Sequence, residues 1–108
     1  MNTNQPQIRN AMPSRLLTKG DETVIVVGVA SWSGSSDIVL GFAQDFVKEH
    51  DNCRVEFFDV DQESDLNTLL DISSVPAVLI IKDKTVVDMF TGLMSKKRFT
   101  KTLEQYLS

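Results

Sequence analysis

Residues 24–30 read Val-Ile-Val-Val-Gly-Val-Ala, and this run constrains the chain more than any other. It is apolar at odd and even positions alike, and most of its residues are β-branched. A strand with one wet face alternates apolar with polar residues. A strand apolar throughout is buried on both faces and usually sits in the middle of a parallel sheet. Behind it, Ile38, Val39, Phe42, Ala43, Phe46 and Val47 recur at spacings of three and four, which predicts an amphipathic helix of about four turns. Cys53, Val55 and Phe57 then alternate with Arg54, Glu56 and Phe58, predicting a second strand. Leu66, Leu69, Leu70 and Ile72 suggest a short helix. Ala77–Ile81 and Val86–Phe90, joined by Asp83-Lys84, form a hairpin. Ser95–Leu107 sets Phe99, Leu103, Tyr106 and Leu107 on one helical face. Before the first strand, Met12, Leu16 and Leu17 predict a short helix within Ala11–Lys19, with Ser14 near its start. Residues 1–10 are polar and are expected to form a flexible tail. Helices alternating with strands, then a hairpin, imply an α/β fold: a mixed sheet with helices on both faces.

Composition narrows the function. The 108 residues suit one domain, here 11–108. Eleven basic residues against 15 acidic give a net charge of −4, which speaks against binding nucleic acid or an anionic membrane. The single cysteine, Cys53, excludes an intrachain disulfide and a zinc cage of thiols. No apolar run approaches the roughly 20 residues that span a bilayer. Met1–Gln7 lacks the basic and apolar regions of a signal peptide. The expectation is a cytoplasmic monomer or weak dimer with no cofactor and no metal.

Four local features, in register, resemble thioredoxin. The first strand runs into Ala30-Ser31-Trp32-Ser33-Gly34-Ser35-Ser36, similar to the segment W-C-G-P-C with serine at both cysteine positions. Val55–Gln62 is similar to the following strand and its V-D-Q end. Ser74-Val75-Pro76-Ala77 is similar to the V-P-T loop, whose proline is cis in that family. The closing hairpin, Gly92 and the last helix match in length and spacing. The resemblance spans about residues 22–108. It implies a thioredoxin fold, a single domain with a central mixed sheet of four to five strands. It also implies that Trp32, Gly34, Val75, Pro76 and Gly92 border a groove that receives an extended peptide.

The chemistry that accompanies this groove in the family is missing. Disulfide exchange needs a thiolate attacking sulfur. A helix N-terminus helps by favouring an anion. Ser33 and Ser36 occupy the catalytic positions that the resemblance assigns. An alcohol is a far weaker acid, and one helix end, worth about 0.3–1 kcal/mol when exposed, does not ionise it near neutral pH. The buried aspartate and the nearby lysine of the family's proton-handling pair align with Val27 and Phe57. Ser35 replaces the motif proline, and Ala77 the threonine after the cis proline. The chain therefore reads as a thioredoxin-like domain that binds protein or peptide partners. The alternative is a thiol–disulfide oxidoreductase whose two cysteines have been exchanged for serine.

Other signals have plainer readings. Ser33 and Ser36 are good N-cap residues. A serine nucleophile would need a nearby base, but the only histidine, His50, is about 14 helical residues past Ser36, on the order of 20 Å away. Cys53 reads as a small buried hydrophobe. Asp59, Asp61, Glu63 and Asp65 lack the glycine and terminal glutamate of a calcium loop and read as a solvated turn. Lys96-Lys97-Arg98 reads as a wet helix start.

Overall fold

The computed structural model describes residues 12–107. The tail expected over residues 1–10 lies outside them. A four-stranded sheet is built from β1 (Thr23–Val29), β2 (Cys53–Asp59), β3 (Ala77–Lys82) and β4 (Thr85–Thr91), in the order β2-β1-β3-β4. The apolar run is interior, as its composition requires. Its neighbours differ, however: β1 is parallel to β2 and antiparallel to β3. The helices are α1 (Gly34–Lys48), α2 (Ser64–Leu70) and α3 (Lys96–Glu104).

The period of two along β1 and β3 divides the interior. Val24, Val26, Ala77, Leu79 and Ile81 point to one face, where Leu16, Phe58, Leu66, Leu70 and Ile72 pack. Ile25, Val27, Val78 and Ile80 point to the other, against Val39, Ala43 and Phe46 of α1 and Phe99 and Leu103 of α3. Each face is thus covered, and a strand with no polar position has no wet side to satisfy.

One expectation about local structure needs correction. The helix predicted within Ala11–Lys19 is a single 3-10 turn, Ser14–Leu16, preceded by Pro13, and Leu17 is already extended. Arg54 explains the stop. Its guanidinium donates to the carbonyls of Arg15 at 2.7 Å and Leu17 at 3.0 Å, groups a longer helix would need for itself. On β2 it is Phe58 that is buried, at 2% exposure, whereas Phe57 is 53% exposed. β2 is an edge strand. The β3–β4 hairpin turns at Asp83 and Lys84 with φ of 52° and 61°. Both values are positive, as a two-residue turn matching the twist of its strands requires.

Candidate functional site

The site is built where β1 stops. Val29 ends the strand, and the chain turns through Ala30–Ser33 into α1. The N–H of Ser33 bonds back to Ala30 O at 3.0 Å, so the turn is tight. It throws Trp32 outward, 70% exposed. The indole is nevertheless held: its Nε1–H donates to Asp61 Oδ2 at 2.8 Å. Asp61 is itself placed by a small turn in which Asp59 Oδ1 accepts from the N–H groups of Asp61 and Gln62. The acidic stretch read as a plain solvated turn therefore has a specific task. Pairing an exposed aromatic with one carboxylate across 29 positions leaves no local pattern, so sequence reasoning missed it.

The two serines do not cap α1 as expected. Ser33 occupies the N-cap position but makes no side-chain cap bond. Its Oγ lies 3.4 Å from Ser35 Oγ instead. Ser36 is fully buried, and its Oγ accepts from the N–H of Ala30 at 3.4 Å. The hydroxyl faces back into the turn rather than along the helix axis. Gly34 is the first residue of α1 and is exposed.

The facing wall comes from the loop between α2 and β3. The Val75–Pro76 peptide is cis. Pro76 is buried, and its carbonyl accepts from the N–H of Gly92 at 2.9 Å. Gly92 has a φ of 91°, a conformation open to glycine and strained for other residues. Trp32 and Val75 line one cavity of about 140 Å³, with Val60, Asn67, Ile72, Ser73 and Ser74 completing it. The structure thus joins Trp32 to Val75 and Pro76 to Gly92, while Ser33 and Gly34 stand outside that cavity.

Cys53 is remote from this junction. It pairs with Thr23 at the first step of the β1–β2 register, and the serine loop follows the last step, Val29 with Asp59. Six steps at about 3.3 Å put them roughly 20 Å apart. The thiol is partly buried rather than fully so, and donates to His50 O at 3.3 Å. Burial, helped by the Asp51 charge, raises its pKa above the ordinary 9.0. His50 is occupied at the far end of α1, stacked on Phe46 with Nδ1 at 2.9 Å from Phe46 O. Val27 and Phe57 are direct partners across β1 and β2, so the two positions where the resemblance implies a proton-handling pair are adjacent and apolar. Among the described residues no cluster of His, Cys, Asp and Glu could hold a metal ion. No helix there is long and apolar enough to cross a membrane.

This chain is similar to known proteins of one family. The family pattern that matches it is Thioredoxin, over residues 7–105. The chain belongs to the thioredoxin family. It is 32% identical over 88 residues to "Thioredoxin, mitochondrial" of Mus musculus, covering 80% of this chain and 53% of that protein. It is 26% identical over 76 residues to "Thioredoxin-2" of Saccharomyces cerevisiae, covering 70% of this chain and 73% of that protein. The chain therefore spans about half the length of the mitochondrial thioredoxins it matches. Among solved structures, a mutant thioredoxin from Halobacterium salinarum NRC-1 superposes with a TM-score of 0.74 at 19% identity, over 82% of this chain and 77% of that one. The thioredoxin fold, a mixed four-stranded sheet flanked by three helices, is shared.

Proposed function

We propose that this thioredoxin-fold domain binds extended peptide segments of protein partners in the groove between Trp32 and the Val75–Pro76 loop, without exchanging disulfides. The observation that carries the reading is the contrast at one junction. The features that such binding needs are present: an exposed indole pinned by Asp61, a cis proline tied to Gly92, and a cavity between the indole and Val75. The reacting atoms are not kept, since positions 33 and 36 hold hydroxyls and the one thiol is roughly 20 Å away along the sheet. A hydroxyl attacking a disulfide gives no stable mixed disulfide, so exchange does not begin. Backbone pairing at the loop edge and apolar contact with the indole would hold the peptide.

Trp32 is the chain's one tryptophan, so its fluorescence reports on the groove without labelling. Titration with extended peptides is expected to give a saturable change, and Trp32→Ala, followed by calorimetry because it has no indole, to weaken binding by roughly tenfold or more, as for a central aromatic anchor. No saturable response to any peptide would remove the reading. A second reading is favoured by the same intact framework with serine at both cysteine positions: an oxidoreductase whose thiols have been exchanged. The double variant Ser33→Cys, Ser36→Cys separates the two in an insulin-reduction assay. Full activity supports the second reading; a folded, inert protein supports the binding domain.

A further inference from the structure

A residue in the wall of the cavity beside Trp32 carries, behind that wall, a hydrogen-bond acceptor with no donor. Asn67 stands in the middle of α2 and lines the cavity. Its carboxamide Oδ1 is closed off from solvent and receives no hydrogen bond. The backbone carbonyl of the same residue is satisfied by the N–H of Ile72 at 3.2 Å, so the deficit lies in the side chain alone. Buried polar atoms without partners are rare and cost stability. Asparagine is also a poor helix former, so neither the helix nor the core gains from it here.

The rest of the wall defines what could relieve the deficit. Val60, Ile72, Val75 and the indole are apolar, and Ser73 and Ser74 are exposed. No charged side chain lines the space. The lining itself therefore offers no counter-charge to a cation or anion, and its polar groups are neutral. The volume, about 140 Å³, corresponds to roughly four to five waters at about 30 Å³ each, and so admits a side chain of up to that many heavy atoms. The terminal torsion of asparagine is broad and nearly two-fold, so turning the carboxamide toward the cavity is cheap. Given the peptide-binding reading of the groove, we infer that this cavity is a specificity subsite for an uncharged donor side chain of the bound peptide (serine, threonine, asparagine or glutamine), with Asn67 Oδ1 as its acceptor.

Random heptapeptides displayed on phage, selected in parallel on the unmodified chain and on Asn67→Ala, are the probe. The unmodified chain is expected to enrich peptides sharing one Ser, Thr, Asn or Gln position. Replacing that residue by Ala or Val in synthetic peptides weakens binding by roughly five- to tenfold, the scale of one hydrogen bond. On Asn67→Ala the same replacement changes affinity less than about twofold, because the partner is already gone. The peptide-side measurement needs no protein variant, so it stands even if Asn67→Ala folds poorly. Apolar or charged residues at the shared position, or a donor preference that survives Asn67→Ala, would overturn the subsite and leave the groove standing. If no peptide enriches and Trp32 fluorescence does not respond, the groove reading falls and the subsite with it.

Discussion

Ser36 is buried, and its Oγ takes the amide proton of Ala30 just beyond the end of β1. A thiol at this place would be a weaker acceptor. Ser36→Ala leaves that buried N–H unpaired, at an expected cost of about 1 kcal/mol, the low end for a bond as long as 3.4 Å. The urea midpoint checks it, and an unchanged midpoint would mean the contact contributes nothing. Asn67 makes the opposite case. Asn67→Ala removes an unsatisfied acceptor and improves helix propensity, so stability is expected to hold or rise by about 0.5–1 kcal/mol. A loss above about 1 kcal/mol would show that Asn67 is needed for packing. Both roles were hidden in the sequence. A serine near a helix start reads as a cap whichever way its hydroxyl points, and an asparagine inside a short helix reads as surface.

Among the elements, legibility followed the length of the pattern. β1, α1 and the hairpin repeat their period over enough residues to be read directly, and the resemblance placed the cis proline and Gly92 beside them. Where one tertiary contact decides, the pattern failed. Arg54 halted the first helix by taking the carbonyls of Arg15 and Leu17, and the edge position of β2 left Phe57 exposed. The Trp32–Asp61 bond, which holds the indole beside the cavity, joins two loops and has no periodicity at all. The hairpin turn gives a prediction at this scale. Asp83 and Lys84 both hold positive φ, which costs a residue with a Cβ about 1–2 kcal/mol. Asp83→Asn with Lys84→Gly supplies the residues such a turn prefers. The backbone bond from Lys84 N–H to Thr18 Oγ1, at 2.7 Å, survives the change. Allowing for the extra entropy of glycine in the unfolded chain, a gain of about 1 kcal/mol is expected in chemical denaturation. A loss would mean that the two side chains contribute contacts of their own.

At the scale of the whole molecule, three ionisable groups among the described residues have shifted pKa values and are expected to bracket the pH range in which the fold is most stable. Asp45 of α1 is held below the ordinary carboxylate value of 3.8, chiefly by the hydrogen bond from Lys96 of α3 and then by its charge. A carboxyl depressed in the folded state stabilises the fold above its unfolded pKa, and that help disappears as pH falls through the folded value. The acid limb should therefore begin below about pH 4, and Asp45→Asn should flatten it. The pair is exposed, so salt should have the same effect. The alkaline side has the opposite sign. Tyr106 is raised chiefly by the hydrogen bond its hydroxyl gives Asp88, and Cys53 chiefly by burial. Groups raised in the folded state stabilise it below their unfolded values, 9.0 for the thiol and 10.0 for the phenol, and that stabilisation is lost as pH rises through the folded ones. Thermal unfolding across pH should thus show a plateau between roughly pH 5 and 8. The alkaline limb should be shallower in Cys53→Ala, and Tyr106→Phe should lower the plateau while flattening the same limb. Because the nucleophile is the thiolate, iodoacetamide should label Cys53 slowly at about pH 7.5 and quickly only above the ordinary thiol value. Rapid labelling near neutrality would mean that the thiol is neither buried nor raised.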